Sequence, residues 1–162
     1  MLVQQTGKFL LKAITGNFET CEFLKSPKVD KPGITTPDLI QLVDQRAKEK
    51  VLQVAALLQK QPDLWDSLQG IYVKDMVEAY THSYLVHTFT EFLKSISCDK
   101  VRSVFEKLLK LYLNERVIKD GGYFKSYLSQ DQFNEVKDST NELLEQLRPD
   151  AIALTDILPF PN

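Results

Sequence analysis

The chain has 162 residues, enough for one domain with a substantial core and cramped for two. A hydrophobic content of 43% with 26% charged residues excludes a disordered chain and describes a globular protein. A formal net charge of −2 gives no electrostatic reason to expect nucleic acid or anionic lipid as a partner, and no apolar run reaches the ~20 residues of a membrane helix.

Residues Leu2 to Ile14 predict a helix with Leu2, Thr6, Phe9, Leu10 and Ala13 on one side. Gln4, Gln5, Lys8 and Lys12 break any resemblance to a secretory signal. No capping residue precedes Leu2, so residues 1–15 are expected to be a truncated first helix. Gly16 closes it. Residues 16–36 are rich in Lys, Pro and Ser and are expected to form a connector pinned by Phe18, Phe23 and Leu24. Thr36-Pro37-Asp38 then reads as a helix start with hydroxyl cap, proline in the first turn and an acid at the positive end of the dipole. Ile40, Val43, Ala47, Val51, Val54 and Leu58 form its apolar stripe, with Gln41, Gln45, Lys48 and Glu49 largely off that line and an end near Pro62.

Asp63 is placed to cap the next helix, with Leu64, Trp65 and Leu68 leading into the central run from Gln69 to Ile96, and Gly70 allows either one bent helix or two successive ones. Two rows, Val73, Val77, Tyr80, Tyr84 and Leu85, Phe89, Phe92, Ile96, suggest a helix covered on more than one side. Ser97-Cys98-Asp99 breaks it and caps a helix whose face is Val101, Phe105, Leu108 and Tyr112, ended by Gly121-Gly122. Ser129 and Gln132 have capping-box spacing before Phe133, Val136, Thr140, Leu143, Leu144 and Leu147. Pro149 disfavours a helical Arg148, and Ala151 to Leu158 gives a last short helix stopped by Pro159. With no period-two alternation, the expected fold is all-α: a single domain over residues 1–162, with an antiparallel bundle of four main helices within 37–158 and short accessory helices.

Side-chain chemistry is sparse. His87 and Glu91 lie four apart, a spacing open to a metal or a proton relay, but no second ligand pair accompanies them, and a solvated pair is the simpler reading. His82 and His87 are five apart and turned from a common point. Cys21 and Cys98 have no metal spacing and suit free thiols in a reducing compartment. Gly121-Gly122 follows a helix and lacks the Gly-Lys-Ser/Thr of a phosphate loop. The residues therefore nominate no catalytic, cofactor-binding or metal site.

Three stretches, Leu2-Val-Gln-Gln-Thr-Gly-Lys-Phe-Leu-Leu-Lys12, Glu78-Ala-Tyr-Thr-His-Ser-Tyr-Leu-Val86 and Leu147-Arg-Pro-Asp-Ala-Ile-Ala-Leu-Thr-Asp156, taken in order, resemble the carboxyl-terminal α-helical region of the acyl-CoA oxidases. Gly121-Gly-Tyr-Phe124 falls where some members have a similar run. The resemblance implies a peroxisomal, FAD-dependent parent of fatty-acid β-oxidation that turns acyl-CoA and oxygen into trans-2-enoyl-CoA and hydrogen peroxide. Its catalytic glutamate and flavin-binding segments would lie upstream of Met1, so no catalytic residue is carried onto a number here. The implied partners are the catalytic amino-terminal part and a second copy in a homodimer, with this chain structural and inactive alone. Leu158-Pro159-Phe160-Pro161-Asn162 carries no targeting address. Two other readings stand beside it: a stand-alone helical module binding a partner helix or lipid, and a small metal- or thiol-dependent enzyme around His87, Glu91 and Cys98.

Overall fold

The computed structural model describes residues 2–16, 22–25, 28–30, 32–61, 63 and 69–156. The expectations resting on Phe18, Cys21, Pro62, Leu64, Trp65, Leu68, Leu158 and Pro159 lie outside them. Among the described residues the regular structure is entirely helical: α1 (Leu2–Ile14), α2 (Glu22–Lys25), α3 (Thr36–Lys60), a π-helical turn (Gln69–Val73) running into α4 (Lys74–Ser95), α5 (Asp99–Lys119), α6 (Gly121–Phe124), α7 (Gln130–Leu147), a 3-10 turn (Arg148–Asp150) and α8 (Ala151–Asp156). The four long helices are α3, α4, α5 and α7, as the hydrophobic spacing requires. Their contacts group into two compact units, Met1–Pro32 with Ile40–His87, and Gly33–Leu39 with Thr88–Asn162.

In the first unit α3 and α4 run antiparallel. Asp44 on α3 meets Ser83 on α4 at 2.6 Å, and six residues further along α3 the Lys50 amine reaches back to Asp75 at 3.3 Å. Leu10 and Ala13 of α1, Leu24 of α2, Val51, Val54 and Leu58 of α3 and Met76 of α4 form one apolar core. The connector is thus pinned by Leu24 as expected, and it carries the single helical turn of α2. Gly16 ends α1 at φ +67°, the left-handed region that favours glycine.

Burial corrects the expected faces of the two central helices. On α4 the buried residues are Met76, Ala79, Tyr80, Ser83, Val86 and Leu93, whereas Leu85 and Phe92 of the second row are each 46% exposed. The covered face mixes the small side chains Ala79 and Ser83 with the larger Met76, Tyr80 and Leu93. Residue 73 also belongs to the π turn, where a 3.6-residue period does not hold. On α5 the buried set is Leu109, Leu113, Asn114 and Val117, one residue on from the expected Leu108 and Tyr112, and Val101 is exposed. One residue is about 100° around a helix, so the covered face is displaced by that angle. On α3 the expected stripe is buried from Val43 to Leu58, but Gln45 and Arg46, which flank it, are buried too.

The termini show why the helices start where they do. Thr35, not Thr36, caps α3: its backbone N–H donates to Asp38 Oδ2 at 3.0 Å, and its hydroxyl is the acceptor facing the Asp38 N–H. Ser129 and Gln132 complete the predicted capping box of α7 in both directions. Cys98 holds the N-cap position of α5 without a side-chain bond, and its carbonyl accepts the Arg102 N–H at 2.9 Å. Pro149 does not unwind Arg148, which stays helical; the chain passes into a 3-10 turn in which proline's missing N–H falls in the first turn. In the second unit α5 and α7 are antiparallel, with the Asn114 amide 3.3 Å from Ser139 and a Cβ at Gly121 meeting the Phe133 ring. Gly121 and Gly122 open α6 instead of simply stopping α5.

Candidate functional site

The strongest convergence of polar side chains lies in the first unit. Ser83 and His87, four residues apart, share one face of α4, and both meet Asp44 of α3. The Ser83 hydroxyl donates to Asp44 Oδ1 at 2.6 Å; His87 Nε2 lies 3.0 Å from Oδ1 and 2.9 Å from Oδ2. An ionised carboxylate only accepts, so this contact assigns the imidazole proton to Nε2. The three residues edge a cavity of about 420 Å³ whose walls are Phe9, Phe23, Tyr80 and Tyr84. Phe9, Phe23 and Tyr80 pack ring on ring, with centroids 5.1 to 5.6 Å apart.

This arrangement is not a nucleophile–base pair. The serine hydroxyl points to the carboxylate and not to the histidine, so the imidazole is not placed to take its proton. Asp44 instead gathers two donors from α4 and ties that helix to α3. Among the described residues that line it there is no lysine or arginine, and the Asp44 carboxylate repels a diphosphate, so these residues do not suit a flavin dinucleotide.

The residues singled out from the sequence are separated. His87 is committed to Asp44, while Glu91 pairs with Lys94 at 2.6 Å. His82 approaches Glu78 at 3.6 Å, and Cys98 is an exposed free thiol. Among the described residues no group of three His, Cys, Asp or Glu side chains is placed to hold a metal. Asp44 was missed because nothing local in the sequence pairs it with residues about forty positions away; its place beside a buried stripe was the available signal.

Further hollows lie elsewhere on the described residues. One of about 400 Å³ is lined by Gln5, Lys8, Phe9, Leu11, Lys12 and Tyr80. Another, in the second unit, is about 440 Å³ and is formed chiefly by Leu108, Leu111, Leu144, Leu147 and Leu154 beside Arg148. Three titrating groups of the second unit are perturbed. Burial pulls the Lys110 amine below its ordinary pKa against the opposing pull of Asp38 and Glu135, and burial raises the Tyr112 phenol. The Lys119 hydrogen bond holds the Glu115 carboxyl below its ordinary pKa.

The sequence model described as acyl-CoA oxidase matches residues 35–162. The chain belongs to the acyl-CoA oxidase family. It is 30% identical over 124 residues to the peroxisomal acyl-coenzyme A oxidase 1 of Bos taurus, covering 75% of this chain and 18% of that protein, and 29% identical over the same length to that of Homo sapiens. Acyl-CoA oxidase-1 of Caenorhabditis elegans, solved in complex with FAD and ATP, superposes on 99% of the chain with a TM-score of 0.84 at 18% identity. Acyl-CoA oxidase-2 of the same organism, bound with FAD, ascaroside-CoA and ATP, covers 95% of the chain with a TM-score of 0.78 at 16% identity. At such identities the likeness is one of fold. The chain spans less than a fifth of the length of these curated relatives and about 28% and 25% of the two solved chains. The three stretches that carry the family resemblance lie on α1, on the middle of α4, and across the end of α7 into α8.

Proposed function

We propose that the chain is the carboxyl-terminal helical domain of a peroxisomal, FAD-dependent acyl-CoA oxidase, the enzyme that converts acyl-CoA and oxygen into trans-2-enoyl-CoA and hydrogen peroxide. The observation that carries this reading is the family match over residues 35–162, supported by a fold shared along 99% of the chain with an FAD-complexed oxidase. The domain acts structurally, packing on the catalytic part and contributing to the homodimer. Its own polar cluster favours that role: Asp44, Ser83 and His87 spend their hydrogen bonds on one another. FAD and the base that removes the substrate's α-proton belong, in this reading, to the remainder of the oxidase.

The test is light scattering after size exclusion, with and without the separately expressed remainder of the oxidase. A stoichiometric complex that retains FAD and produces hydrogen peroxide from acyl-CoA, when neither part does so alone, is the expected result. Peroxide production by the isolated chain, or a monomer that ignores the other part, overturns it.

A further inference from the structure

The hollow of the second unit, about 440 Å³, has a chemistry that the packing of α5 on α7 leaves unused. On α7 and α8 its lining residues Leu144, Leu147, Ala151 and Leu154 recur at intervals of three, four and three, and on α5 Leu108 and Leu111 are three apart. Such intervals set side chains in one row along a helix, so two apolar rows from separate helices line one channel. Leu147 is buried, whereas Leu108, Leu111 and Leu154 are half-buried and Leu144 is 52% exposed. Ile152, next to the lining Ala151, is 77% exposed and adds apolar surface on α8. Arg148 edges the same channel. Its backbone N–H donates to the Leu144 carbonyl, but among the described residues its guanidinium has neither a hydrogen bond nor an ion pair, and the acids nearest in sequence, Glu145 and Asp150, are not paired with it. The described lining residues include no acid.

These features discriminate between occupants. One exposed ion pair contributes little by itself, so Arg148 orients an occupant while the apolar rows hold it. A membrane surface or a nucleic acid calls for clustered cations, and the described lining has one. Apolar rows at helical spacing are filled instead by the ridge of another helix, whose side chains enter the groove between them. We propose that this hollow receives an amphipathic helix from the part of the parent oxidase outside these 162 residues, with an apolar ridge in the channel and a carboxylate on Arg148. This surface presupposes the reading of the chain as one domain of a larger oxidase; the curated relatives, of which it spans less than a fifth, are long enough to supply the helix.

The test is site-specific photo-crosslinking in the full-length oxidase, with Leu144→p-benzoylphenylalanine and Ile152→p-benzoylphenylalanine made singly and the products mapped by mass spectrometry. The expected product joins both positions to one segment outside residues 1–162 that has helical apolar spacing and a carboxylate. Asp138→p-benzoylphenylalanine, at an exposed position of α7 outside the hollow, should not label that segment. Arg148→Glu should lower the yield from position 144 roughly threefold, the scale of reversing one exposed charge contact, and an acid-to-lysine change at the carboxylate so located should restore it. Absence of a product, a product within residues 144–154 of a second copy, a mapped segment without apolar spacing or a carboxylate, equal labelling from position 138, or an unchanged yield with Arg148→Glu overturns the proposal. If the enzyme then still produces hydrogen peroxide from acyl-CoA, the domain reading stands and the docking surface alone falls; failure of the two parts to associate in the light-scattering test removes both. Circular dichroism of Arg148→Glu separates loss of docking from loss of the fold.

Discussion

The two units fix helix against helix by different means. In the first, polar groups are buried among the apolar ones: Thr6, Gln45, Arg46 and Ser83 are all nearly inaccessible, and long-range bonds such as Ser83 to Asp44, Lys50 to Asp75 and Gln59 to the Ile14 carbonyl join separate elements. In the second, the buried residues of α5 and α7 are chiefly apolar, Leu109, Leu113, Val117, Phe133, Val136, Leu143 and Leu147, and beside local bonds such as the Ser129–Gln132 capping box the Lys110 amine reaches the Ile34 carbonyl. Asn114 is the buried polar residue of that interface; its amide N–H donors face Val136 and Ser139 while Oδ1 lacks a hydrogen bond. The contrast teaches that an apolar interface tolerates variation in detail but depends on volume, whereas a polar one depends on completeness, since each buried group left without a partner is costly.

The largest expected effect is therefore a loss of volume in the second unit. Leu113 is fully buried, and Leu113→Ala should destabilise the protein by about 2–5 kcal/mol through lost transfer energy and an unfilled cavity. A urea-unfolding cost near zero would show that α5 and α7 are not held by apolar packing. A smaller effect should come from the first unit. Asp44→Ala leaves the buried Ser83 hydroxyl without its acceptor, at a cost of about 1–3 kcal/mol, and it frees the His87 imidazole. Adding Ser83→Ala should recover part of that loss in a double-mutant cycle; simple additivity would mean that the carboxylate does not couple the two helices.

The smallest effect is a pH dependence in the second unit. Lys110 has a folded pKa below its ordinary 10.5, so the unfolded chain binds more protons between the two values. Stability contributed at this site therefore rises with pH across that alkaline window, reaching its full value above 10.5. Unfolding curves of the native protein and of Lys110→Met, compared from neutral pH upward, should differ in slope in that direction. A native slope no steeper than the variant's would remove burial of the amine as the cause.

Local features were the most legible in the sequence. The Ser129–Gln132 box, the Gly16 stop and the stripe from Val43 to Leu58 each follow from neighbours within a turn or from a regular period, and each stands where expected. The cap of α3 moved by one residue to Thr35 because both adjacent threonines suit the position and only Thr35 reaches Asp38 in both directions. Faces were harder. Ala79 and Ser83 carry little hydrophobic signal, yet they occupy the covered side of α4, so Leu85 and Phe92 drew the expected row away from it. The candidate site was the least legible part, because Asp44 meets Ser83 and His87 only after α3 and α4 are laid antiparallel.

Gly121 carries a consequence that its backbone angles alone do not suggest. A Cβ built there would lie 3.1 Å from the Phe133 ring, whereas one at Gly122 meets nothing within 4 Å. Two adjacent and chemically identical residues thus differ in their freedom to diverge. Position 122 is open to replacement, while 121 and 133 occupy one shared allotment of space, so a larger residue at the first calls for a smaller one at the second. In a lineage of such chains these two positions would drift as a pair, although eleven residues separate them.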